Sequence, residues 1–200
     1  MRGKSIWSVK FSTASLVLIP AAVGINYIGK MFAQVLKLPL WLDSIGTMLA
    51  SMLAGPIIGS ICGAINNVIY GLTADPISFI YVLTSIAIGL VIGIMAKKGM
   101  FKNFGKVIVA GLIVALVSAI VSTPINIGFW GGQTGNVWGD TLFAFLSANK
   151  FPVWISSFLD EFVVDLPDKL ATLIISYGIF KGLPQKLTVL YSNDDEVETL

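Results

Sequence analysis

The residues of this chain best suited to chemistry stand where an apolar sequence should not have them. In FLDEFVVDLPDKLATLI, Asp160, Glu161, Asp165, Asp168 and Lys169 interrupt a stretch otherwise suited to lipid. Glu161, Asp165 and then Asp168 or Lys169 follow the i, i+4, i+7/8 spacing of one helical face. An ionisable group at the centre of a membrane helix costs at least ~2.5 kcal/mol, so a paired or functional role is the default expectation. For Asp160, Glu161 and Asp165 two roles stay open, contact with a substrate or ion and structural pairing. In the second, Asp168 and Lys169 neutralise neighbouring groups while Asp160 and Glu161 reach a wet outer border. Pro167 is expected to bend this helix, with neighbours compensating the lost backbone bond.

A second group is polar but uncharged. Asn66 and Asn67 lie within an apolar segment, where amides need partners, and they fall toward one end of it. At the same level come Asn26, Tyr27, Trp41, Asp43, Tyr70, Tyr81, Asn126, Trp130, Gln133, Trp138 and Trp154. A pocket for a small molecule is an apolar cleft with a few convergent polar groups, which this end of the chain offers. Aromatic rings there also form the usual interfacial belt, and for Trp41 and Trp154 anchoring is the plainer reading. The candidate substrate-binding set is Trp41, Asp43, Asn66, Asn67, Tyr70, Tyr81, Asn126, Trp130, Gln133, Trp154, Asp160 and Glu161.

Reaction-bearing signatures are missing. The sequence has no histidine, and its one cysteine, Cys62, lies in an apolar glycine-rich run, so neither a Cys/His catalytic pair nor a metal-ligand set can be assembled. No catalytic residue, metal or cofactor is implied. There is no G-x4-G-K-[ST] loop to cradle phosphates, so any ATP-driven work needs an ATPase on another chain. The net charge of +2 is too slight and scattered to point to nucleic acid.

The elements that must position these residues follow from composition. With 56% of 200 residues apolar and 12% charged, a soluble fold could not hide the apolar surface. Spanning segments of about 20 residues would use nearly the whole chain. Apolar runs predict six transmembrane helices at 11–35, 41–54, 57–73, 77–96, 106–128 and 152–180. The fold class is therefore all-α and polytopic. Although MRGKSIWSVK is basic like the start of a signal peptide, the run from Phe11 to Val35 is too long and carries Asn26, Tyr27 and Lys30, so it reads as a first span.

Gly55-Pro56 separates the second span from the third, and Asp75 is placed to cap the fourth. The loop from Asn126 to Phe151 begins polar and glycine-rich and can continue as a short interfacial helix. Gly55-x3-Gly59-x3-Gly63 and Gly89-x3-Gly93 have the spacing of close helix packing, within the chain or against a separate membrane subunit. Arg2, Lys4, Lys10, Lys97, Lys98, Lys102, Lys106, Lys181 and Lys186 fall on one side, and Lys30, Lys37 and Lys150 on the other. Retention of basic residues inside then predicts both termini in the cytoplasm. Residues 1–184 form the substrate-binding membrane domain, and residues 185–200, ending SNDDEVETL, an acidic disordered tail.

The stretch LPLWLDSIGTMLASMLAGPIIGSICGAINNVIYGL, the Asp-Pro loop after it and ISFIYVLTSIAIGLVIGIMAKKG resemble the substrate-specific S components of energy-coupling factor (ECF) transporters. FWGGQTG and DLPDKLATLIISYGIFKGLP resemble them too, so the likeness runs from Phe11 to Pro184. It implies a multi-pass protein of the bacterial plasma membrane that binds a vitamin-like molecule near the outer face. It also implies partners: a transmembrane coupling protein and two cytoplasmic ATPases, onto which the S component docks and topples to release substrate inside. Trp41 and Asp43 then belong to a loop covering the substrate, and Asn66, Asn67 and Tyr70 to the outer end of the third helix. The family's Ala-x3-Ala docking pattern is absent from the first helix, which has Pro20, Ala21, Ala22 and Gly24, so the docking surface stays unassigned. The covering region and last helix lean toward the cobalamin-type branch. The alternatives are a membrane sensor module, which the short tail disfavours, and an ATPase-independent carrier using the acidic sixth helix.

Overall fold

The computed structural model describes residues 12–191; the basic residues Arg2, Lys4 and Lys10 and the acidic end from residue 192 lie outside the described residues. Among the described residues there is no strand. The helices are α1 Thr13–Val35, α2 Ile45–Ala54, α3 Pro56–Thr73, α4 Val82–Lys97, α5 Phe104–Trp130, α6 Val137–Ala148, α7 Val153–Gly182 and α8 Gln185–Val189. Two 3₁₀ segments join them, Pro76–Tyr81 running into α4 and Met100–Lys102 leading to α5.

Local chemistry explains the boundaries. The Ser12 hydroxyl accepts the Ser15 N–H at 3.2 Å and starts α1. Gly55, at φ +88°, ends α2, and Pro56 opens α3 in the position where its missing N–H costs nothing. Asp75 accepts the Ile77 N–H at 3.1 Å, capping the 3₁₀ turn that continues as α4. The cap of α2 comes from another helix: Asn26 of α1 accepts the N–H groups of Gly46 at 2.7 Å and Thr47 at 3.1 Å. Two first-turn donors that would otherwise be orphaned are thereby satisfied within the bundle.

The bundle is inverted relative to a soluble protein. Leu16, Ile28, Leu72, Leu83, Leu116 and Ile120 are exposed, whereas Asn26, Thr47, Asn66, Asn67, Asp160, Asp165 and Asp168 are buried. Apolar surface of this extent is suited to lipid, and the polar groups it encloses must find partners inside. The glycine pattern serves internal packing, because a Cβ on Gly89 of α4 would stand 2.5 Å from the Ser60 nitrogen of α3. A Cβ on Gly46 would stand 1.9 Å from the Ala22 carbonyl oxygen, which fixes α2 against α1.

Among the described residues four segments are long and apolar enough to cross a membrane: Thr13–Val35, Pro56–Thr73, Pro76–Lys97 and Phe104–Trp130. The segment expected over 41–54 is helical only over Ile45–Ala54. At 1.5 Å per residue that helix is about 15 Å long, half the hydrocarbon thickness, and Ile45 through Met52 are all buried. It is a core helix inside the bundle rather than a lipid-facing one. The last expected span, α7, has 30 residues, but its ionisable groups set it apart from the four apolar segments. Asp160, Glu161, Asp165, Asp168 and Lys169 are all buried, so α7 turns its charged face inward. Tyr191 packs on Leu18, Ala22, Ala50 and Ile58, which places the end of the described chain beside the first turns of α1.

Candidate functional site

The charged face of α7 is organised around Lys169. Its ammonium lies 2.7 Å from Asp168 Oδ2, 3.3 Å from Asp165 Oδ1 and 4.0 Å from Asp43 Oδ1. An isolated ammonium would not be stable at 3% exposure, and three carboxylates are what make its burial possible. The other oxygen of Asp168 accepts the backbone N–H groups of Trp41 and Leu42, both at 2.9 Å. One carboxylate thus joins the loop between α1 and α2 to the middle of α7, where Leu42 is held at φ +49°.

The opposite wall is built from amides and hydroxyls. Glu161 Oε2 accepts from Asn126 Nδ2 at 2.7 Å, and Asn126 Oδ1 accepts from the Tyr81 hydroxyl at 2.6 Å. Asn67 Nδ2 donates to the Tyr81 carbonyl at 2.9 Å and to Ser85 Oγ at 2.6 Å, tying α3 to the start of α4. Lys30 donates to Ser78 Oγ at 2.9 Å and lies 4.3 Å above the Tyr70 ring, whose hydroxyl donates to Gln34. In the loop before α6, Thr134 donates to Asp160 Oδ1 at 2.7 Å, and Asp140 Oδ1 accepts the N–H groups of Thr134 and Gly135, both at 3.1 Å.

These walls enclose a cavity of about 480 Å³. It lies at the end of the bundle where the α1–α2, α3–α4 and α5–α6 connections meet, away from the lysine-rich connection between α4 and α5. Of the residues expected to bind, Trp41, Asp43, Asn67, Tyr81, Trp130, Gln133 and Glu161 line it. Asn66, Tyr70, Asn126 and Asp160 do not; they are buried behind the lining. Tyr70 supports Gln34 and Lys30, Asn126 bridges Tyr81 to Glu161, and Asp160 pins the α5–α6 loop to α7. Trp154 stands apart, 63% exposed in the first turn of α7 and two turns, about 10 Å, before Glu161.

Sequence reasoning did not place Lys30, Gln34, Ser78, Ser118, Ser122, Asp140, Asp165 or Lys169 in the pocket set, though all line the cavity. Five of them carried a usable signal, Asp165 and Lys169 as part of the ionisable face of the last helix. Lys30 is a lone charge in an apolar run, and Ser118 and Ser122 repeat at i, i+4 on one face of α5.

The family model for the ECF transporter, substrate-specific component, matches residues 14–189. This chain belongs to that family. No curated protein and no solved structure matches it. As an ECF substrate-specific component it is a membrane protein and a transport subunit rather than a catalytic enzyme, serving an ECF importer by binding a small-molecule substrate. Membership also entails interaction with components of an ECF module. The match covers every helix that contributes to the cavity.

Proposed function

We propose that this S component captures a vitamin-sized micronutrient in the 480 Å³ cavity at the outward end of the bundle and delivers it inward after docking on an ATP-driven ECF module. The observation that carries this reading is the convergence of three loops and the polar face of α7 on one enclosed space. A cavity of this size lies in the range of clefts that bury small molecules, about 300–1,000 Å³. The binding groups are Trp41, Asp43, Asn67, Tyr81, Trp130, Gln133 and Glu161, supported from behind by Asn66, Tyr70, Asn126 and Asp160. Trp154 serves as an interfacial anchor.

In this reading α1, α2, α3, α4, α5 and α7 make six crossings in the plasma membrane, α2 with the help of the preceding loop. Both termini face the cytoplasm, residues 1–184 form the membrane domain, and residues 185–200 a cytoplasmic tail whose first part is α8. The coupling protein and two ATPases supply the energy. The substrate we favour is compact. The cobalamin lean of the sequence fits this cavity poorly, since a corrinoid with its nucleotide arm could enter only if the covering loops opened widely.

The test is uptake in cells expressing the chain with and without a coupling protein and its ATPases, paired with mass spectrometry of small molecules released from the purified chain. Accumulation that needs all partners, and release of a vitamin-sized molecule, are expected. Accumulation by the chain alone would favour an independent carrier and overturn the reading.

A further inference from the structure

Seven ionisable residues line the cavity: Asp43, Asp75, Asp140, Glu161 and Asp165 against Lys30 and Lys169. The formal charge of that lining is −3. Lys169 is not free to receive an anionic substrate, and Lys30 is a single charge against the carboxylates of the lining. Lys169 is enclosed by Asp43, Asp165 and Asp168, and Lys30 is engaged by Ser78 and the face of Tyr70. The carboxylates, by contrast, have capacity to spare. Asp165 is 1% exposed, and its Oδ2 accepts no hydrogen bond among the described residues, although Ser118 of α5 is close by. Glu161, one turn earlier on the same face of α7, receives a single side-chain donor, Asn126. A buried oxygen left without a donor is costly, and two carboxylates a turn apart can share one ammonium-type group.

We propose that the substrate is a compact organic cation, whose one positively charged nitrogen is received between Glu161 and Asp165. The rest of the molecule lies against the aromatic lining of Trp41, Tyr81 and Trp130. Aromatic rings within about 6 Å of a positive charge add cation–π attraction to apolar contact. Asp75 and Asp140, at the loop end, give the approach the same sign and draw cations in. This inference rests on the cavity being the substrate site.

The experiment uses the full chain in lipid nanodiscs, with thermal stabilisation and calorimetric titration against six probes. Thiamine and pyridoxamine are the cations, pyridoxine and riboflavin the uncharged members, and pantothenate and biotin the anions. Binding of at least one cation is expected, at least tenfold tighter than any uncharged or anionic probe. Glu161→Gln keeps an acceptor for Asn126 while removing the charge, and should weaken the cation about tenfold or more, with Asp165→Asn as the second variant. Preferential binding of an uncharged or anionic probe, abolished when Ser122→Trp fills the cavity, would overturn the cation inference and leave the substrate site standing. Binding of none of the six, or binding unaffected by Ser122→Trp, would overturn both.

Discussion

Replacing Asp168 should release the α1–α2 loop from the bundle, and the size of the effect can be worked from its contacts. The carboxylate accepts two backbone N–H bonds, from Trp41 and Leu42, and pairs with Lys169 at 2.7 Å. Hydrogen bonds to a charged group contribute about 1.5–3 kcal/mol each. Breaking a buried ion pair costs about 3–5 kcal/mol when the partner is left alone. Lys169 is not left alone, because Asp165 and Asp43 remain near it, so the pair contributes less than that range. The loop can also recover part of the backbone loss by moving into water. Asp168→Ala is therefore expected to cost about 3 kcal/mol in holding the loop closed. Asp168→Asn keeps one oxygen for both N–H groups and loses mainly the charge, at about 1–1.5 kcal/mol. Hydrogen exchange of the Trp41 and Leu42 amides in nanodiscs reads the difference directly, since a 1.4 kcal/mol loss is a tenfold gain in the open population. Unchanged protection of these two amides in Asp168→Ala would refute the view that this carboxylate holds the loop.

Other outcomes follow from the same geometry. Asn67→Ala strands the Tyr81 carbonyl and Ser85 hydroxyl and should weaken ligand binding by about 1–3 kcal/mol, as should Asn66→Ala beside it and, through Thr134, Asp160→Asn; unchanged calorimetric affinity in all three folded variants would place the site elsewhere. Gly89→Val drives a side chain into the α3 backbone and should cost at least about 1–3 kcal/mol, seen as a lowered melting temperature or loss of folded protein, and a neutral result would contradict the α3–α4 packing. Reporters fused after Leu200 and within the Lys97–Lys106 loop should both read as cytoplasmic, and an external signal from either would sink the six-crossing topology. The purified chain should bind ligand without ATP and hydrolyse none, whereas ATPase activity that follows the pure chain would contradict the lack of a phosphate-binding loop.

The sequence made the helical architecture legible because membrane helices announce themselves by composition and glycine spacing. The α3–α4 contact and the Gly55-Pro56 joint were readable for that reason. The shortness of α2 was not. Its apolar run is continuous with Leu40, Trp41 and Leu42, and nothing in hydropathy separates a buried core helix from the loop leading into it. The helix cannot start earlier because Leu42 stands at φ +49°, outside the right-handed helical region, with its N–H held by Asp168, 126 residues away. The site divides along the same line. Residues with a conspicuous chemistry in an apolar setting, Glu161 and Asn67 among them, could be named from their types. Whether each faces the cavity or stands behind it is a matter of which neighbour takes its bond. Asn66 and Asn67 are adjacent and alike, yet Asn67 lines the cavity while donating to α4 and Asn66 turns into the protein.

That division bears on how the S component holds its substrate. The groups behind the lining are largely committed to one another: Asn126 to Tyr81 and Glu161, Asp160 to Thr134, and Asp168 to the α1–α2 loop and Lys169. Apart from Asp168–Lys169 within α7, each of these links reaches from one helix to another or to a loop, so the orientation of the lining depends on helices remaining in register. A rigid-body tilt of the whole domain would preserve the links and keep the pocket intact. Displacement of the α1–α2 loop alone would break the bonds at Asp168 and the contact of Asp43 with Lys169. Both motions leave the helix-to-helix network unbroken, and they differ in whether the covering loop keeps its bonds to α7. Opening at that loop needs no helix to move, and the Asp168 variants above measure its cost while leaving every lining side chain chemically unchanged.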